Sequence, residues 1–179
     1  MNEIWREPAV VVAELIRDQK ISAHEVTTQA LQRIDNINGR INAIVDYKPE
    51  LALAAADAID RRIAKDEDVG ALGGVPVTIK VIIDQEGFAT TNGVRLQRNA
   101  IATHDSPAVT NLRNAGAVLL GRTNTPAFSY RWFTNNSLHG ATLNPHNAAL
   151  TPGGRRAEQR TARLQANYRP QLREGRQLP

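Results

Sequence analysis

Cysteine is absent from these 179 residues. That excludes a disulfide scaffold, a thiol nucleophile and a thiolate metal site. No apolar run approaches the roughly 20 residues that a bilayer span needs. The opening stretch, Met1-Asn2-Glu3-Ile4-Trp5-Arg6-Glu7, is acidic and mixed, unlike a secretory or transit peptide. A soluble cytoplasmic protein, with no membrane partner, is the expectation. His24, His104, His139 and His146 form no i, i+4 pair and have no Cys beside them, which argues against a metal site. Gly70-Ala71-Leu72-Gly73-Gly74 carries neither nucleotide fingerprint, so no cofactor is expected. What is present is a hydrophobic content of 41% in a chain of ordinary single-domain length, enough to bury a real core.

Positive charge is unevenly placed. Residues 155–179 hold seven Arg against Glu158 and Glu174, a local balance of +5 in a chain whose total is +4, so residues 1–154 sum to −1. The same 25 residues contain no Val, Ile, Phe, Trp or Lys, although the body is rich in Val and Ile. A nearly neutral body offers no broad phosphate-attracting surface, which argues against nucleic-acid binding by the chain as a whole. The sequence therefore divides into a body, 1–154, and an Arg-rich tail, 155–179, whose few apolar residues cannot offset the entropy of ordering it.

Helical spacing runs through the first third. Val11, Val12, Leu15 and Ile16 recur on one face between Pro8 and Gln19. Ser22-Ala23-His24-Glu25 has the form of a capping box, opening a helix through Val26, Ala30, Leu31, Ile34 and Ile37 that should end near Asn38-Gly39. Ile41 to Val45 reads as a short extended piece, and Pro49 suits the first turn of an Ala-rich helix to about Lys65. After the acidic loop 66–74 the pattern changes. Val75 to Ile83 is β-branched almost throughout, as a strand buried on both faces would be, with Pro76 restricting pairing at its start. Asp105-Ser106-Pro107 caps a helix through Val109, Leu112 and Ala115, stopped by Gly116, and Ala117 to Gly121 is a second buried strand. This alternation indicates an α/β fold with at least partly parallel strands.

Lys80 lies in the middle of the most apolar run, on what should be a central strand with its side chain mostly buried. Burying an ammonium costs several kcal/mol, so it must find partners or lose its proton. A desolvated lysine can serve as a general base near neutral pH. The alternative is a sheet-edge lysine that snorkels to solvent. Phe128, Tyr130, Trp132 and Phe133 place four of eight aromatics within six residues, either as a substrate-channel wall or, the preferred reading, as packing at a core edge.

Gly73-Gly74-Val75-Pro76-Val77-Thr78-Ile79-Lys80 resembles the lysine strand of the amidase signature family. So do the segments that follow it in order: Asp84 to Gly87, Thr90-Thr91-Asn92-Gly93, Asp105-Ser106-Pro107, Leu112 to Pro126, His139-Gly140-Ala141-Thr142-Leu143-Asn144-Pro145 and Thr151-Pro152-Gly153-Gly154. Together they cover roughly 70–154. Many members place an acidic residue and Asn directly after the lysine, where this chain has Val81 and Ile82. The resemblance implies the N-terminal part of an α/β/α sandwich with a mixed sheet, preceded by a helical segment. It also implies hydrolysis of small amide substrates by a Ser–Ser–Lys triad in which Lys80 is the base. The lysine would act through a bridging serine on a nucleophilic serine, whose oxyanion is held by backbone N–H groups of a Gly-rich turn.

The bridging serine should follow Gly154 in a Ser-Ser-Gly-Gly stretch, where this chain reads Arg155-Arg156-Ala157-Glu158. No Asp-x-Gly-Gly-Ser pattern follows within 155–179. Residues 155–160 can be written CGT CGG GCG GAG CAG CGG; with one T restored in front, the frame reads TCG TCG GGC GGA GCA GCG, or Ser-Ser-Gly-Gly-Ala-Ala. The expectation is an incomplete, inactive amidase-like domain over 1–154, followed by a disordered frameshifted tail over 155–179. Rival readings are a basic-tailed nucleic-acid binder and a remnant that pairs with a separate C-terminal fragment, with exposed sheet edges also favouring self-association.

Overall fold

The computed structural model describes residues 4–152; the tail assigned to 155–179 lies outside the described residues. Its first layer is helical. Helix α1, Ala9–Arg17, buries Val12, Ala13 and Ile16. Helix α2, Ala23–Ile41, begins at the expected capping box: the Glu25 N–H donates to Ser22 Oγ and the Ser22 N–H donates to Glu25 Oε2, both at 3.0 Å. Strand β1 is Ile44–Asp46, and helix α3, Pro49–Ile63, carries its proline in the first turn. Ala52, Ala56 and Ile59 of α3 recur at i, i+4, i+7 and join the buried Val26, Leu31 and Ile34 of α2 in one apolar cluster. Asp60 of α3 caps the same α2 terminus, accepting from the N–H groups of Ala23 at 2.7 Å and His24 at 3.0 Å. Each buried Ile or Leu of this cluster contributes about 1.5–3 kcal/mol.

Helix α2 does not stop at Asn38-Gly39. It continues to Ile41 and closes at Asn42, in the left-handed conformation (φ 51°, ψ 49°). Gly39 is tolerated inside it, and Asn38 acts on the exit instead. Its Oδ1 accepts from the N–H groups of Ala43 and Ile44, and its Nδ2 donates to the Ile44 carbonyl at 2.7 Å. The polar side chain reorganises the chain after the helix rather than breaking it.

Among the described residues a mixed three-stranded sheet runs in the order β1-β3-β2, with β2 at Pro76–Lys80 and β3 at Val118–Thr123. β1 is antiparallel to β3; β2 is parallel to it, with Ile79 opposite Arg122 and Lys80 opposite Thr123. Helix α4, Pro107–Asn114, provides the crossover, capped by Ser106 as expected. Gly116 ends it at φ +83°, and a Cβ there would collide with the Val69 carbonyl oxygen, so no side chain fits this turn. A short hairpin of two-residue strands, β4 (Asn135–Asn136) with β5 (Gly140–Ala141), follows.

Two expectations about the lysine strand are corrected. β2 is an edge strand of the described sheet, and β3 is the central one. The strand also ends at Lys80 instead of continuing to Ile83, because the Ile83 N–H donates to the Lys80 carbonyl at 2.9 Å and turns the chain. The β-propensity of Val81-Ile82-Ile83 yields to this closure. Val77 and Thr78 are half-buried, so only the Ile79–Lys80 end is enclosed as deeply as a fully buried strand requires. No helix among the described residues is long and apolar enough to cross a membrane.

Candidate active site

Lys80 is the last residue of an edge strand and yet is only 6% exposed, so the snorkelling geometry is not the one adopted. Its strand partner Thr123 is also buried, and the Val81 N–H donates to the Thr123 carbonyl at 3.0 Å, extending the pairing one residue past the strand. In open α/β sheets ligands bind beyond the carboxyl ends of the strands. Lys80 stands at that end of the parallel pair.

The chain leaving β3 there is polar and buried. Asn124 Nδ2 donates to Thr142 Oγ1 at 3.0 Å and to the Gly140 carbonyl at 3.2 Å, while its Oδ1 accepts from Asn136 Nδ2 at 2.7 Å. Asn42, at the end of α2, donates to the carbonyls of His139 and Ala141, and its own carbonyl accepts from Thr142 Oγ1. His139 Nε2 lies 3.1 Å from Thr91 Oγ1. Burial pushes the His139 imidazole below its usual range, against the opposing pull of Asp46. The network joins a helix end, a strand end and the β4–β5 hairpin into one floor. Fully satisfied polar networks of this kind hold a unique geometry.

Arg122 is the other charged residue enclosed here, with 0% exposure. Its Nη2 donates to the carbonyls of Ile83 at 2.8 Å and Lys80 at 3.4 Å. Burial lowers the pKa of this guanidinium, while the nearby charges of Asp46 and Asp84 raise it. Sequence reasoning missed Arg122, although the logic that singled out Lys80 applies equally to an arginine in Val118-Leu119-Leu120-Gly121-Arg122-Thr123. It also missed the Asn42–Asn124–Asn136–His139 network, whose partners lie up to 100 positions apart and leave no local signal.

None of the serines near this floor forms a nucleophile in a Gly-rich turn. Ser106 caps α4, Ser129 Oγ lies 2.8 Å from Thr125 Oγ1, and Ser137 contributes its carbonyl to Arg95. The aromatic group is likewise not core-edge packing. Tyr130 and Trp132 are 87% and 88% exposed, and Phe128 and Phe133 are half-exposed. Exposed side chains at four nearby positions form a surface feature, which begins two residues after the fully buried Pro126.

Residues 25–155 match the family model described as Amidase. Indoleacetamide hydrolase of Bradyrhizobium diazoefficiens is 46% identical over 151 residues, which make up 84% of this chain and 29% of that protein. Among solved structures, a bacterial aryl acylamidase of the amidase signature family aligns with a TM-score of 0.82 at 30% identity, over 87% of this chain and 32% of its own. An inhibitor-bound vestigial complex related to the origins of an s-triazine catabolic enzyme aligns at 0.85 with 35% identity, over 90% of this chain and 35% of its own. The chain thus spans about a third of the length of these relatives. The family model's match ends at the position where the sequence changes character. On the combined match of sequence and fold, this chain belongs to the amidase signature family.

Proposed function

We propose that residues 1–154 are the lysine-bearing part of a carbon–nitrogen amide hydrolase, that Lys80 is its general base, and that the 179-residue chain does not turn over amides. The observation that supports this most is a lysine enclosed at the carboxyl end of a parallel strand pair, on a polar floor, in a chain matching the amidase family. In the proposed reaction Lys80 draws the proton of a nucleophilic serine through a bridging serine. The serine oxygen adds to the amide carbonyl, the amine leaves with the relayed proton, and water then hydrolyses the acyl ester. Neither serine stands at its expected position after Gly154, and residues 155–179 contain no Asp-x-Gly-Gly-Ser pattern. A base without a nucleophile or oxyanion donors leaves the barrier nearly at its uncatalysed height. The frameshift at Arg155 accounts for that loss and for the change in composition together. The rival nucleic-acid role rests on arginines of 155–179, which lie outside the described residues, and no similarity supports it.

The test is turnover of small aryl and alkyl amides. The purified 179-residue chain is expected to show none above background. Restoring the Ser-Ser-Gly-Gly frame and the coding sequence downstream of it should bring hydrolysis back, and Lys80→Ala in that protein should lower kcat at least about 10³-fold. Lys80-dependent turnover by the 179-residue chain would overturn the incomplete-site reading. Hydrolysis by the restored enzyme that survives Lys80→Ala would overturn the assignment of the base.

A further inference from the structure

We infer that Arg122 is a positioning residue for Lys80: its guanidinium holds the turn that ends β2 and thereby sets the point from which the lysine side chain departs. The role of the lysine rests on the proposal above; the clamp itself rests on geometry alone. Arg122 lies on the central strand opposite Ile79, one residue from the partner of Lys80. Its Nη2 is shared between two carbonyls three residues apart, Lys80 and Ile83, which the Ile83 N–H to Lys80 carbonyl bond already draws together. The guanidinium thus braces the chain at both ends of the reversal.

Stability alone does not account for an arginine here. The side chain is fully buried, and its Nε and Nη1 have no hydrogen-bond partner among the described residues. Well-packed apolar residues commonly replace buried charges with no loss of stability, or with a gain, and Val118 and Leu120 occupy the same strand. The charge is made tolerable by Asp46 on β1, by Asp84 just beyond the turn, and by the Phe88 ring with its centroid 5.8 Å from the guanidinium carbon. What an apolar residue cannot supply is a donor for the two carbonyls. Both bonds come from one amino group, Nη2, which the planar guanidinium holds rigidly between the two acceptors; a lysine carries donors too, but its ammonium ends a flexible stem and is not held there.

The experiment follows Lys80 on the 179-residue protein itself. The chain has four lysines, and Lys20 and Lys65, both exposed, serve as internal references. Acylation by an amine-reactive ester is followed residue by residue by peptide mass spectrometry, at a temperature where thermal unfolding shows each variant folded. In the wild type Lys80 should react far more slowly than Lys20 and Lys65. In Arg122→Met its rate relative to those references should rise about tenfold, because the turn opens locally. Arg122→Lys, which keeps the charge but not the planar group that fixes the donor, should raise it about threefold or more. A global loss of stability with no change in the Lys80 ratio would mark Arg122 as merely structural and overturn the inference. If Arg122→Met does not fold, Arg122→Lys decides, and a wild-type ratio in it overturns the inference equally. The outcome is separable from the base assignment: a Lys80 seated by Arg122 yet dispensable for hydrolysis in the restored enzyme would sink the base and leave the clamp standing.

Discussion

His139 illustrates how a single residue ties the polar floor to solution conditions. Its imidazole faces Thr91, its carbonyl accepts from Asn42, its N–H donates to Asn136, and Asp46 is the charge that acts on it. Burial favours the neutral ring, so its pKa in the folded protein lies below the unfolded value of about 6.5. The unfolded chain then binds more protons in that window. The stability due to His139 is complete above about pH 6.5 and is lost as the pH falls from there through the lowered folded value. Melting temperatures from pH 7.5 to 5.5 should therefore decline more steeply for the wild type than for His139→Gln. Equal slopes would show that His139 titrates without linkage to folding. Lys80 belongs to the same scale: the residue type and its apolar flanks were enough to predict burial, because an ammonium inside a β-branched run has few ways to reach water.

Among the elements, α2 is the one whose two ends are controlled most differently. Its start is a local device: the Ser22 backbone N–H and then the Ser22 hydroxyl hold the Glu25 carboxyl below its usual range, and the box is legible from four consecutive residues. Ser22→Ala should lower stability by about 1 kcal/mol. For a chain of this size that corresponds to a drop of about 2–4 °C in Tm by calorimetry. Asp60 keeps the other terminal donors satisfied, so a drop several times larger would mean that the box also orients α1 against α3. The far end of α2 combines a short-range device, Asn38 bonding Ala43 and Ile44, with a tertiary one, Asn42 reaching the hairpin. The turn after α4 lies between these cases. Gly116 is a recognisable stop, but only the approach of the Val69 carbonyl makes it irreplaceable. Gly116→Ala should cost about 3 kcal/mol or more in chemical denaturation, since both φ and the missing space oppose a methyl group. A loss below about 1 kcal/mol would show that the 69–74 loop can move aside.

At the scale of the whole molecule, the helices and the sheet close one apolar cluster, while the Lys80 end of the sheet carries the polar floor and, beyond it, the open aromatics. The relatives extend to about three times this length. A site whose base lies on one segment and whose nucleophile lies on another cannot act with one of them alone, however well the first is formed. That is why the expected outcome for the 179-residue chain is a folded body without turnover, and why the restored frame is the informative comparison.

Neighbouring residues were enough to give the α/β class, the capping box and proline starts of the helices, the two strand cores, the burial of Lys80 and the family. All of these follow from local periodicity, backbone chemistry or motifs read in order. Which strand is central, where β2 stops, how α2 passes Gly39, why the aromatics at 128–133 face outward and how Arg122 lies buried beneath the turn were fixed by the folded chain as a whole. The end of β2 and the exit of α2 also use short-range bonds, from the Ile83 N–H to the Lys80 carbonyl and from Asn38 to residues 43 and 44, but the contacts of Arg122 and of the polar floor join positions 39 to 100 residues apart. Hydrogen bonds formed across such distances override the short-range preferences of the residues they connect.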